Sequence, residues 1–324
     1  MTSSNDGKTL LLLKPRGFCA GVVRAIDIVR IALETFGPPI YVRKEIVHNR
    51  YVVEELSAKG AIFVDSVEEV PAGERVIYSA HGVSPEVREA SLHRNLRVID
   101  ATCPLVTKVH VEAVKFAREG YSLVLIGHRD HDEVIGTLGE APVVTQVVGT
   151  AEEVESLSVP DPDRVAYLTQ TTLSLDETKD IIEALRQKFP NIHGPAAQDI
   201  CYATENRQTA VKQIAGSADL LLVVGSDNSS NSKRLVEVAR SLNAPSHLIE
   251  NYRAISPAWL EGVKTVALTA GASAPECLVE EVMGFLAKEG FTNVQEVEVV
   301  AENVRFGLPP EIVEAISPAP ATAE

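Results

Sequence analysis

The sequence predicts an α/β fold of three pseudo-symmetric lobes, arranged about a pseudo-threefold axis with a site at the centre. Three observations predict it. Short apolar runs alternate with helix-period segments along the whole chain, the pattern of strands alternating with helices. Three of the four cysteines, Cys19, Cys103 and Cys201, each close a strand-like run and open a helical one, the upstream sides being KTLLLLKPRGFC, NLRVIDATC and AAQDIC. Each is then followed at nearly constant distance by a polar residue: His48 after 29 residues, His131 after 28 and Ser229 after 28. Later strand ends carry His81, Thr171 and Ser273, at 62, 68 and 72 residues from their cysteines. One cysteine and two polar groups per repeat is what a site on a threefold axis requires, and repetition at long period outranks local pattern.

In the first repeat Leu10–Leu13 reads as a strand. Val22, Ile26, Val29 and Leu33 then form one helical stripe, stopped at Gly37-Pro38-Pro39. IYV (40–42) is a strand, NRYVVEELSAKG a short helix ending at Gly60, and IFV (62–64) and VIYSA (76–80) complete the unit. The second repeat copies the order. VID (98–100) leads into a helix from Pro104 to Arg118, with proline in its first turn and Gly120 as its stop. SLVLIG, VVTQVV and VAYLTQ are strands, and HDEVIGTLGE is a short helix. In the third, a helix over 203–215 precedes the strand LLLVVG, the helix SNSKRLVEVARSL, the strand TVALTAG and a closing helix from about Pro275 to Lys288. Cys103 to Gly127 and Cys201 to Gly225 both span 24 residues. Boundaries near 97 and 195 therefore give repeats over 1–97, 98–195 and 196–310. The Pro/Ala-rich end, 311–324, reads as a disordered tail.

Bulk composition narrows the function. A chain of 324 residues with 45% hydrophobic and 23% charged residues can bury a full core. A formal net charge of −15 argues against nucleic-acid or anionic-membrane surfaces, which need a basic footprint, but not against a small anionic substrate. No apolar run approaches the roughly 20 residues of a membrane span. The start, MTSSNDGKT, lacks a basic segment followed by an apolar one, so a cytoplasmic location is expected. Few cysteines in such a chain speak for metal or catalytic use rather than disulfides.

Three thiolates converging from strand ends make a soft metal site. Zinc sites of the Cys₃His type usually use close cysteine pairs, and none exists here. A catalytic thiol would leave two cysteines unexplained. An iron–sulfur cluster accepts widely spaced ligands, and with three thiolates one iron of a [4Fe–4S] cluster stays open to a substrate oxygen. Any single cysteine is by default a core filler. Three in register at strand C-termini, where α/β folds place ligand sites, favour ligation. Cys277 has no counterpart in the other repeats and is assigned to the last helix.

The polar segments SAHGVS, GHRDHDEV, QTT, SDNSSNSKR and TAGASAPE all lie where a strand gives way to a helix. Backbone N–H groups and hydroxyls at helix starts bind phosphate well, although each serine or asparagine is by default a plain N-cap. His48 and His81 could equally be satisfied surface histidines; their shared register with the cysteines points to function. Glu133 stands open between two roles. Beside a low-dielectric pocket it could hold and deliver a proton; otherwise it is a solvated first-turn glutamate. His93, His110, His128, His193 and His247 read as helix or turn positions, His128 alone lying near the candidate set.

The segments PRGFCAGVVRAI, VHNRYVVEEL, SAHGVSP, DATCPLVTKVH, GHRDHDEVIGTLGE, TQTTLS, DICYATENRQ, GSDNSSNSKRL and TAGASAPE, in that order over about residues 10 to 310, resemble the 4-hydroxy-3-methylbut-2-enyl diphosphate reductases of the non-mevalonate isoprenoid pathway. The resemblance implies a three-lobed fold around one [4Fe–4S] cluster held by Cys19, Cys103 and Cys201, with the substrate's 4-hydroxyl on the open iron. It implies that His48, His81, Ser229, Ser230, Asn231 and Ser273 grip the diphosphate with His131 nearby, that Glu133 donates the proton and that Thr171 is its partner. It further implies two-electron removal of the allylic hydroxyl to give isopentenyl and dimethylallyl diphosphate, with ferredoxin or flavodoxin as electron donor and a monomeric protein. Two other classes fit part of the pattern: an open-cluster hydratase, which needs no reductant, and a non-catalytic metal-binding regulator, against which the missing basic patch counts.

Overall fold

A computed structural model of the chain describes residues 7–316. In chain order the elements are β1 (Thr9–Lys14), α1 (Ala20–Phe36), β2 (Ile40–Arg43), α2 (Arg50–Ala58), β3 (Ala61–Val64), β4 (Arg75–Tyr78), α3 (Pro85–His93) and β5 (Arg97–Asp100). Then come α4 (Pro104–Arg118), β6 (Ser122–Ile126), α5 (Asp132–Glu140), β7 (Thr145–Val148), β8 (Val165–Thr169) and α6 (Leu175–Lys188). The last stretch holds α7 (Tyr202–Ile214), β9 (Leu220–Val224), α8 (Ser230–Ser241), β10 (Ser246–Ile249), β11 (Thr265–Ala270), α9 (Glu276–Lys288), β12 (Asn293–Glu298) and α10 (Pro310–Ile316).

The strands form three sheets, ordered β3-β2-β4-β5, β7-β6-β8 and β10-β9-β11-β1-β12. Every pairing within them is parallel. The three-lobed α/β architecture is thus present, with lobes of unequal size. Parallel strands buried on both faces read as continuous apolar runs, and LLLVV in β9 is buried at all five positions.

The connections between lobes position the site. β1 pairs with β11 and β12 of the third sheet, yet the helix that follows it packs Ala25, Ile26 and Val29 against Ile40, Val42 and Ile77 of the first. β5 pairs with β4 of the first sheet, whereas α4 sets Val109, Ala113 and Phe116 against Leu123 and Leu125 of the second. α7 likewise sets Ala210 and Val211 against Leu221 and Val223 of the third. At each crossing from one lobe to the next stands one of the three repeated cysteines.

Several expectations need correcting. The cut at 97 splits a lobe, because β5 hydrogen-bonds in the first sheet, and β1, counted in the first repeat, belongs to the third sheet. AAQDIC contains no strand: residues 196–200 are bends and irregular backbone, and in their place His193 makes a single bridge to Ala166. His247 lies in strand β10. Residues 311–316 are not disordered but form most of α10, whose Ile312 is fully buried against α1. The rest of the proposed tail, 317–324, lies outside the described residues. Among the described residues no helix is long and apolar enough to cross a membrane.

Candidate active site

Cys19, Cys103 and Cys201 are the N-cap residues of α1, α4 and α7. Their backbone N–H groups repeat one arrangement three times. Cys19 donates to Ala272 O at 3.1 Å, Cys103 to Ala80 O at 3.0 Å and Cys201 to Thr171 O at 3.1 Å. Each acceptor sits at the strand-end position that the sequence register had marked through Ser273, His81 and Thr171. Those bonds turn the three helix starts toward one point, and all three cysteines line a single cavity.

The sulfurs come close to one another. A methyl group on Gly21 would lie 2.7 Å from Cys103 Sγ and 3.9 Å from Cys19 Sγ, so residue 21 must have no side chain. Burial pushes the Cys103 thiol up to about 12, with the neighbouring Cys19 and Cys201 adding to it. Burial and Cys19 push Cys201 up to about 11. Cys103 and Cys201 so placed need a compensating cation to ionise, and the helix N-termini they cap favour the thiolate once one is present. The donor set therefore fits a sulfur-ligated metal group seated between Gly21 and the trio. Thr204, in the first turn of α7, places Oγ1 3.2 Å from Cys201 Sγ. Cys277 does not line the cavity; it is half-buried in α9 beside the Tyr51 hydroxyl.

On one wall stands Glu133, 3% exposed on the first turn of α5. It is not a solvated glutamate. Thr171 donates to it twice, from N to Oε1 at 2.6 Å and from Oγ1 to Oε2 at 2.9 Å. Those bonds favour the carboxylate, yet burial outweighs them and the nearby Asp199 adds to burial, raising the group to about 7. The carboxyl is therefore poised to hold or release a proton near neutral pH.

The opposite wall is polar. The rings of His48 and His81 stack 4.0 Å apart, and His131 stands edge-on to them at 5.4 and 5.8 Å. Burial, followed by the other two rings, holds His81 well below the usual imidazole range. His131 is lowered to about 3 by burial and by His48 and His128. His131 Nδ1 accepts the Glu133 N–H at 3.2 Å as the N-cap of α5, so in the neutral ring the proton sits on Nε2. Ser229 caps α8, accepting from Ser232 N at 3.3 Å, with Ser230 and Asn231 in the first turn. Ser273 Oγ donates to His48 O at 2.9 Å, and Asn231 Oδ1 accepts from Ala272 N at 2.8 Å. A helix N-terminus ringed by hydroxyls, an amide and imidazoles is an anion cradle.

Cys19, Cys103, Cys201, His48, His81, His131, Glu133, Thr171, Ser229, Ser230, Asn231 and Ser273 all line this one cavity. Sequence reasoning missed Gly21 and Thr204, which line it too. The only signal was their place within two or three residues of a marked position.

A three-lobed α/β protein with a thiol trio, a proton-holding carboxyl and an anion cradle facing one cavity belongs to the class of enzymes that act on small anionic substrates. A family model described as LytB protein matches residues 10–287, and the chain belongs to that family. It is 56% identical over 306 residues to the 4-hydroxy-3-methylbut-2-enyl diphosphate reductase of Acidothermus cellulolyticus, covering 94% of this chain and 90% of that protein. The enzyme of the same name from Azoarcus sp. is 54% identical, with 96% and 99% covered. Among solved structures, the E-1-hydroxy-2-methyl-but-2-enyl-4-diphosphate reductase from Plasmodium falciparum superposes with a TM-score of 0.93 at 43% identity, covering 96% of this chain and 98% of that one.

Proposed function

We propose that this chain reduces 4-hydroxy-3-methylbut-2-enyl diphosphate, removing the allylic hydroxyl as water. The observation that carries this reading is the joint placement, on one cavity, of three helix-capping cysteines, a carboxyl able to hold a proton near pH 7, and an anion cradle. Cys19, Cys103 and Cys201 would hold a [4Fe–4S] cluster. When bound, that cluster supplies two electrons in single steps and an open iron as Lewis acid for the substrate's hydroxyl.

The residues supply the rest. His48, His81, Ser229, Ser230, Asn231 and Ser273 bind and orient the diphosphate, with the Nε2–H of His131 as a further donor. Two of those imidazoles are kept neutral by burial, so the incoming anion raises their pKa and binding takes up protons. Glu133, steadied by Thr171, passes its proton to the departing oxygen, because hydroxide leaves poorly and water leaves well. The overall step consumes two electrons and two protons, one proton going to the oxygen and one to carbon. Protonation at either end of the allyl unit gives isopentenyl or dimethylallyl diphosphate. A small redox protein such as ferredoxin or flavodoxin would deliver the electrons.

The test is anaerobic purification with iron and sulfide analysis and an EPR spectrum, followed by turnover with and without dithionite. About four irons per chain and turnover only with reductant are expected. Consumption of substrate at the same rate without reductant overturns the reductase reading in favour of a hydratase.

A further inference from the structure

His48, His81 and Asp132 each present one ligand atom, and these three atoms lie within 4.8 Å of one another. His48 comes from the loop before α2, His81 from the loop after β4, and Asp132 is the first residue of α5. The two imidazoles stack, with ring centroids 4.0 Å and planes 21° apart. Each ring already has one nitrogen engaged outside the trio: His48 Nδ1 lies 3.2 Å from Glu45 Oε2, and His81 Nδ1 lies 3.3 Å from Ser79 Oγ. Glu45 is itself held by Asn228 Nδ2 at 2.6 Å. Outer partners of this kind, a carboxylate above all, fix the tautomer and orientation of metal-bound histidines. Among the described residues no lysine or arginine pairs with Asp132.

The surroundings favour a cation. Beside the central cavity lies an outer one that includes Glu45, Asp65, Glu69 and Asp132 in its lining, and His48 borders both. Its lysine, Lys44, is tied to Asp65 at 2.9 Å. An acidic mouth raises the local cation concentration. Two imidazoles and a carboxylate suit zinc or its neighbours, whereas magnesium and calcium prefer oxygen donors throughout.

We propose that His48, His81 and Asp132 form a site for a divalent transition ion, Zn²⁺ being the best match, which fills in the substrate-free protein and excludes the diphosphate. The exclusion follows because an imidazole nitrogen that lends its lone pair to a metal cannot donate a hydrogen bond to phosphate. Only this second half rests on the diphosphate role given above to His48 and His81. Asp132 separates the two uses: it serves the metal and does not line the central cavity.

Cluster-loaded protein, kept anaerobic so that the cysteines stay engaged, is dialysed against buffered zinc chloride and analysed for zinc and iron. One zinc per chain should bind with iron retained, and inorganic pyrophosphate should displace it when a metal buffer holds free zinc constant. D132N should weaken zinc binding by more than about tenfold, while zinc-free turnover stays at the parent rate and becomes resistant to zinc. Glu45→Gln should weaken zinc by about 10–100-fold through its hold on His48. Equal zinc uptake by parent and D132N, or zinc uptake matched by iron loss, overturns the site. Zinc retained in full under saturating pyrophosphate overturns the exclusion. If the protein shows no reductase activity, the dialysis still decides the metal site on its own.

Discussion

Glu133 shows how two opposed effects at one side chain are decided by burial. Two hydrogen bonds from Thr171 favour its anion, but loss of water outweighs them and lifts the group from 4.5 to about 7. A folded-state pKa raised above the unfolded value adds stability below pH 4.5, and that contribution is lost as pH rises through about 7. The same sign governs donation: the protonated form dominates below pH 7 and disappears above it. A plot of kcat/KM, which reports the free protein, should therefore fall on the alkaline side with a midpoint near 7. Glu133→Gln should retain iron and substrate binding yet lose roughly a hundredfold or more in turnover; a variant at full rate removes the proton-donor role. Gly21 offers a second test at this scale. Its substitution by alanine places a methyl group 2.7 Å from Cys103 Sγ, in space shared with Cys19. Gly21→Ala should fold with normal far-UV dichroism but hold little iron after reconstitution, and an iron content equal to the parent's would show that the sulfurs can part to admit it.

At the scale of elements, α10 shows why some of the fold was legible in the sequence and some was not. The helices after the cysteines could be read because each buries a broad stripe; α4 has the bounds its proline start and glycine stop indicate. PEIVEAI in α10 is a two-turn segment in a Pro/Ala-rich end, and what makes it a helix is a distant surface, the α1 face that receives Ile312. Ile312→Ala should destabilise the protein by about 2–5 kcal/mol, read from the urea midpoint, with iron content unchanged. No change in midpoint would mean that α10 contributes nothing to the fold. β12 escaped for a different reason. It is an edge strand exposed at five of its six positions, and its two valines stand three residues apart, so no alternation marks it. α6 buries only Thr178, Ile181 and Leu185, too thin a stripe to stand out. The site itself was more legible than the elements around it. Its chemistry needs particular residue types at fixed places, whereas a core accepts any apolar residue of the right size. Gly21 and Thr204 escaped because their importance lies in a distance to sulfur, which spacing alone does not express.

Across the whole molecule, the three cysteines mark the points where the chain leaves one lobe for the next, so a group bound by all three would fasten the lobes together. The lobes have separate sheets and separate cores, and near the centre they meet through the bonds from Cys19, Cys103 and Cys201 to Ala272, Ala80 and Thr171. Without a compensating cation the thiols of Cys103 and Cys201 stay protonated, and the junction is left to those backbone bonds, the packing of helix starts and side-chain bonds between lobes such as Ser273 Oγ to His48 O at 2.9 Å and Gln208 Nε2 to Leu173 O at 2.7 Å. A ligand that binds only the native state stabilises it by mass action, and here the stabilisation should concentrate at the junctions. Removing the metal with a chelator under reducing conditions should lower the melting temperature. It should also speed hydrogen exchange at the amides of residues 19, 103 and 201 by more than about tenfold, while amides inside β6 and β9 exchange at their former rates. A uniform rise across all three sheets would instead mean that the lobes unfold as one unit, with or without the central group. Unchanged exchange at the three amides would show that packing alone fixes the junction, and the cysteines would then hold their cargo without holding the fold.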